Sequence, residues 1–415
     1  MRTLFAIVVL LLMMTVGCIA AQPSGNPSAS DKRVVERLKK YLAESPRPEL
    51  DKQLLATIPL SRSGAEQVRQ LLWEDHVATI RETRAEEMRN KVIELNGKRM
   101  RFDYRVFGEK PEGGRSLFIS LHGGGNAAPR VNDQQWENQK ILYQPEEGVY
   151  VAPRAPTDTW NLWHEGHIDD MFDRLIENMI VFEDVNPDRV YVMGYSAGGD
   201  GVYQLAPRMA DRWAAAAMMA GHPNDASPLG LRNIAFTIQM GGRDSAYNRN
   251  GIAQEWAERL AKLKADDPDG YEHWVEIYPQ FGHWMNRVDR AAVPWMARYT
   301  RRTFPDKVVW HQSSRTHNRF YWLAVDEEHR QAGATVVARR DGQTIIIESC
   351  DVPRLHIRLN DQMLNLDQPV TVEYQGKQLF FGKVKRTTTT IAQTLAERGD
   401  PKAVYCAEIV VDITR

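Results

Sequence analysis

The chain has 415 residues, of which 43% are hydrophobic, and a formal net charge of −1, enough for two folded units at roughly 100–200 residues per domain. A balance so near neutral excludes the basic field that would hold nucleic-acid phosphates. It also excludes the acidic excess of a disordered, solvating chain.

Arg2 is followed by an apolar run from Leu4 to Val16, the length of a signal-peptide core and short of the ~20 residues that cross a bilayer. Residues 1–21 are therefore read as an export leader, which predicts a periplasmic, outer-membrane-anchored or secreted protein. Thr15-Val16-Gly17-Cys18 resembles a lipobox with Thr in place of the usual Leu, whereas Cys18-Ile19-Ala20 suits ordinary leader cleavage. Membrane attachment through a lipidated Cys18 and release without a lipid both stay open. Residues 22–30, rich in Pro, Ser and Gly, read as a flexible tether.

Val34, Val35, Leu38 and Leu42, then Val68, Leu71 and Leu72, recur at helical spacing and predict a helical extension over residues 31–90. Met100, Phe102, Tyr104 and Val106 alternate with charged residues, so one strand face is buried. Asn96-Gly97 suits a tight hairpin that pairs Val92–Leu95 with it. From Ser116 onward, apolar runs at Leu117–Leu121, Val149–Ala152, Val190–Met193, Ala214–Met219, Ile234–Met240 and Trp274–Tyr278 read as buried parallel strands. Helical patterns at Met171–Phe182, Val202–Met209 and Ile252–Leu263 fall between them, so residues 91–304 predict a doubly wound, mostly parallel α/β sheet.

Past Phe304-Pro305 the rhythm becomes that of short strands: Val308–Trp310, Phe320–Val325, Thr335–Ala338, Thr344–Ile347, Leu355–Leu359, Val370–Tyr374, Leu379–Val384 and Ile409–Ile413. With turns at Asp341-Gly342 and Gln375-Gly376 and one helix near Ile391–Arg398, residues 305–415 read as a separate β-sandwich-like domain. Cys350 and Cys406 suit one bridge in an oxidising compartment, or two buried free thiols.

Gly194-Tyr195-Ser196-Ala197-Gly198-Gly199 follows the apolar run Val190–Met193 and precedes a helical stretch. A serine hydroxyl becomes a nucleophile when a sharp strand-to-helix turn lifts it clear of the sheet, and the glycines let that turn pack. Leu121-His122-Gly123-Gly124-Gly125 ends an early strand. Its bare backbone can present amides to a developing oxyanion, from Gly124 or Gly125, with the Ala197 amide as the second donor.

These two motifs resemble those of the α/β-hydrolase family, and within it the secreted esterases and polyester-depolymerase-like enzymes, including feruloyl and acetyl esterases. The resemblance covers Met100 to about Phe304 and implies the order nucleophile, acid, histidine. Gly241-Gly242-Arg243-Asp244 closes the Ile234–Met240 run, which places Asp244 as the acid, with Asp225 as runner-up and helix capping as the alternative role for Asp244. Pro279-Gln280-Phe281-Gly282 leads from the next strand to His283, the base.

Trp160 and Trp163, in the loop after the Val149 strand, wall a pocket or pack that loop on the sheet. With His122, Tyr195 and Trp284 they are the expected substrate contacts. His164-Glu165-Gly166-His167 departs from the spacing that puts two metal ligands on one helical face, and Asp200 suits a helix N-terminus. The resemblance implies cleavage of carboxylic esters, small or polymeric, through an acyl-enzyme, without metal or organic cofactor. Peptide cleavage of the prolyl-oligopeptidase type, or binding without catalysis on a hydrolase scaffold, are the rival readings.

Overall fold

The computed structural model describes residues 28–413. The leader, Cys18 and most of the tether lie outside the described residues. Ser28 caps helix α1 (Ala29–Leu42), and Asp31 closes a capping box with it. The same buried Asp31 carboxylate accepts from the amide and hydroxyl of Ser61, the N-cap of α2 (Arg62–Asn90), so one side chain ties together two helix starts.

β1 (Val92–Leu95) and β2 (Lys98–Phe107) form the expected hairpin, with Leu95 opposite Lys98. Asn96 (φ 50°) and Gly97 (φ 72°) both take left-handed conformations at its two-residue turn. Met100 and Phe102 are buried as expected, but Val106, next to the last residue of β2, is exposed.

The α/β unit continues through β3 (Arg115–Leu121), α3 (Pro129–Gln139), β4 (Gly148–Arg154), α4 (His167–Phe182), β5 (Val185–Tyr195) and α5 (Ala197–Arg208). β6 (Ala215–Met219), β7 (Ala235–Gly241), α6 (Arg249–Asp266), β8 (His273–Tyr278) and α7 (Ala292–Met296) complete it. Its eight strands lie in the order β1-β2-β4-β3-β5-β6-β7-β8. The first two are antiparallel additions, and the strands from β4 to β8 are parallel. The architecture is that of an α/β-hydrolase sheet, wholly buried at β6 and β7 and half-buried at edge strand β8. Such a sheet presents the loops at its carboxyl ends as a site.

The C-terminal region comprises β9 (Lys307–His311), β10 (Arg319–Phe320), β11 (Leu323–Ala324), β12 (Thr335–Asp341), β13 (Thr344–Cys350), β14 (Arg354–Leu359), β15 (Val370–Tyr374), β16 (Lys377–Gly382), α8 (Thr388–Arg398) and β17 (Ala407–Asp412). Two sheets result, β10-β11-β14-β17 and β16-β15-β13-β12-β9. The stretch Phe320–Val325 is two short strands rather than one, because Tyr321 (φ 52°) turns the chain back so that Phe320 pairs with Leu323. Cys350 and Cys406 are buried free thiols.

Side chains of α1, α2, the large sheet and both C-terminal sheets belong to one contiguous apolar core. Polar ties cross it as well: Arg301 meets Asp400 at 2.7 Å, and Leu60 bridges the backbone of Arg386. Among the described residues no helix is long and apolar enough to cross a membrane.

Candidate active site

β5 ends at Tyr195 and α5 begins at Ala197, which leaves Ser196 alone at the turn with φ 60° and ψ −122°. That backbone region is one a side chain rarely enters, so the surroundings must hold it there. The Ser196 amide donates to Met219 O and its carbonyl accepts from the Asp200 amide, each at 2.9 Å. A Cβ on Gly194 would lie 2.3 Å from Gly198 O, and one on Gly198 2.1 Å from Leu121 O, so both positions require glycine for the turn to close against β3.

Ser196 Oγ lies 2.9 Å from His283 Nε2, and His283 Nδ1 lies 2.7 Å from Asp244 Oδ2. An ionised carboxylate only accepts, so Nδ1 carries the proton and Nε2 accepts from the serine hydroxyl. The three groups come from the ends of β5, β7 and β8. Asp244 is buried, and Arg249 stands 3.9 Å from its other oxygen. Asn248 rather than Asp244 is the N-cap of α6. Asp225 is exposed and accepts from Gln204 Nε2 at 2.8 Å, with no bond to His283.

The loop after β3 is fixed by side chains beneath it. His122 is fully buried, and burial pushes its imidazole down to about 4, so it is neutral. Its Nε2 accepts from the Ala155 amide at 3.1 Å, which leaves the proton on Nδ1 to donate to Gly123 O at 2.6 Å. In a trans peptide the carbonyl and the following N–H point in opposite directions. Holding Gly123 O inward therefore turns the Gly124 N–H to the cleft that both glycines line. Of the two alternatives expected for the first donor, Gly125 is ruled out: its amide already donates to Asn132 Oδ1 at 2.8 Å. The amides of Gly124 and Ala197 have no acceptor among the described residues.

A cleft of about 580 Å³ opens at Ser196, bounded by Gly123, Gly124, Tyr195, His283 and Trp284. Its far wall is Gln135, Asn138 and Gln139 of α3 with Ile141 and Leu142 after it, and Arg287 stands at the rim. None of these six stands out in the sequence, and the three on α3 belong to a helix with few apolar residues, whose pattern is nearly silent. Pro129 at its first turn was the one available signal. Of the expected substrate contacts, Tyr195 and Trp284 line the cleft. His122 and Trp163 do not: both are fully buried, and Trp163 Nε1 donates to His122 O at 2.9 Å, supporting the glycine loop from below. Trp160 is exposed and packs edge-on against His164, outside the cleft lining.

Asp200 accepts from the His222 amide at 2.6 Å, and burial pushes its carboxyl up to about 6. Burial likewise lowers His164 to about 4. Among the described residues no group of three His, Cys, Asp or Glu side chains is arranged to hold a metal ion.

Residues 146–303 match the family model described as the Dienelactone hydrolase family. The matched stretch contains Ser196, Asp244 and His283 and begins after the His122–Gly125 loop. Among solved structures, a thermostable esterase is similar over 51% of this chain and 62% of its own, at 16% identity and TM-score 0.39. A ferulic acid esterase is similar over 50% and 96%, at 15% and 0.36. A poly(3-hydroxybutyrate) depolymerase from Bordetella parapertussis is similar over 49% and 83%, at 14% and 0.34. No curated protein matches the chain.

Proposed function

We propose, from the premise that residues 146–303 form a dienelactone hydrolase family domain of the α/β-hydrolase superfamily and that the protein is a serine ester hydrolase, that it works through Ser196, His283 and Asp244. His283 Nε2 removes the Ser196 proton as Oγ attacks the ester carbonyl, and Asp244 steadies the imidazolium that forms. The amides of Gly124 and Ala197 receive the oxyanion, and the alcohol leaves with the proton returned from His283. Water, deprotonated by the same imidazole, then releases the acid from Ser196.

One observation carries this reading: a hydroxyl on a strained turn bonded to an imidazole at 2.9 Å, itself bonded to a buried carboxylate at 2.7 Å. The substrate is an acyl ester, small or polymeric, that reaches a cleft whose apolar side is Ile141, Leu142 and Trp284. The leader reading adds export, with Cys18 as the site of lipid attachment where that occurs; cell fractionation and labelling with a fatty-acid analogue test both.

A fluorophosphonate probe tests the chemistry. It should label the protein at Ser196 and spare Ser196→Ala, and p-nitrophenyl esters should be cleaved in preference to peptide anilides. A protein that ignores the probe is a binder on a hydrolase scaffold, and preference for anilides makes it a peptidase.

A further inference from the structure

The base of the candidate triad is carried on an exposed loop. β8 is the edge strand of its sheet, and after it His283, Trp284, Asn286 and Arg287 face solvent, the last two in left-handed conformations. Among the described residues the imidazole has bonds only to Ser196 and Asp244. Two bonds to ring nitrogens do not prevent a loop from swinging, so the backbone near His283 needs an anchor of its own.

Tyr195 supplies one. Its hydroxyl donates to His283 O at 2.5 Å and accepts from the Met285 amide at 3.0 Å. Among the described residues these are the only bonds made by that carbonyl and that amide. A single oxygen thus staples both sides of Trp284, while the phenol ring lies edge-on to the His283 ring, 5.9 Å between centroids, and against Trp284 at 5.6 Å. The phenol is mostly buried and burial pushes its ionisation well above the usual range, so it stays a donor.

Tyr195 is also the residue joined by a peptide bond to Ser196. Because Tyr195 is the last residue of β5 and Ser196 follows it directly, the staple fixes the base relative to the nucleophile without passing through edge strand β8. We propose that Tyr195 is a positioning residue that sets the Ser196–His283 distance through its hydroxyl, rather than a substrate contact. The proposal rests on the triad reading above.

Tyr195→Phe keeps the ring and removes the staple. The expected result is a fall in kcat of ~10–100-fold on a p-nitrophenyl ester with KM changed less than about 3-fold, the scale on which a misplaced reacting group slows an enzyme. Labelling of Ser196 by the fluorophosphonate should slow by the same factor, and the low-field proton resonance of His283 Nδ1–H should broaden. Wild-type kcat in a folded Tyr195→Phe protein, or a rise in KM alone, overturns the proposal and leaves the triad untouched. Failure of Ser196→Ala to abolish labelling overturns the triad instead. Should Tyr195→Phe not fold, hydrogen exchange on the wild type decides: the Met285 amide should exchange slowly, and fast exchange there rules the staple out.

Discussion

His122 holds the carbonyl of Gly123 from within the core, 2.6 Å from Nδ1 to oxygen, while its other nitrogen takes the Ala155 amide. A residue that never reaches the cleft thereby decides where the Gly124 amide points. His122→Ala should lower kcat on esters by on the order of 100-fold, the scale of one lost oxyanion donor. It should also destabilise the fold by about 2–3 kcal/mol, since two buried polar groups lose their partner. Steady-state kinetics and urea denaturation read the two effects separately.

Ser196 sits in backbone strain of ~1–3 kcal/mol on the usual scale for such conformations. Ser196→Gly should therefore raise Tm while lowering kcat on the order of 10⁴-fold or more. A melting curve that does not shift upward would mean that the turn stores no strain.

Asp244→Asn should leave the fold intact and lower kcat by on the order of 10⁴-fold, because an amide can hold the imidazole in the wrong tautomer. Wild-type kcat in that variant would pass the role of acid to another residue, and the kinetics of Asp225→Asn would then be compared.

Burial pushes the Asp200 carboxyl up to about 6, above its unfolded value near ~3.9. The folded state then binds a proton more readily than the unfolded chain. Stability should fall as pH rises from about 4 through about 6, and be level above that. Asp200→Asn should flatten this part of the wild-type stability curve, measured by urea midpoint at successive pH values. An unchanged slope would mean that the carboxyl titrates normally.

Arg301 and Asp400, with side chains 1% exposed, meet at 2.7 Å between the α/β unit and the C-terminal region. Burial alone would push the Asp400 carboxyl up, but Arg301 and Arg212 outweigh it and hold it below the usual range. A depressed carboxyl contributes stability above its unfolded pKa, near ~3.9, that is lost as pH falls through the folded one. Asp400→Ala should cost about 3–5 kcal/mol at neutral pH by stranding a buried guanidinium. A urea midpoint close to wild type would show that Asp188, also bonded to Arg301, suffices.

The order of strands and helices from β3 to β8 was legible because each buried strand is a short apolar run between turn-forming residues. Ser196, Asp244 and His283 each follow one of those runs, and the family resemblance implied the roles of the latter two. The C-terminal strands were legible as pieces, yet the parallel pairing of β13 with β15 was not, because nothing local in Thr344–Ile347 names a partner 27 residues away.

The sequence alone determined the periodicities and the glycine-flanked serine, because these depend on neighbours a few residues apart, while the order of acid and histidine after it was what the family resemblance implied. Only the tertiary structure decided which amides are left free and which side chains face the cleft. Asn132 takes the Gly125 amide, His122 and Trp163 sink beneath the loop, and α3 brings Gln135 and Gln139 to the opposite wall. The reason is that a donor's availability and a side chain's exposure are set by whatever packs against them, and those groups arrive from elements whose own sequences carry no trace of the contact.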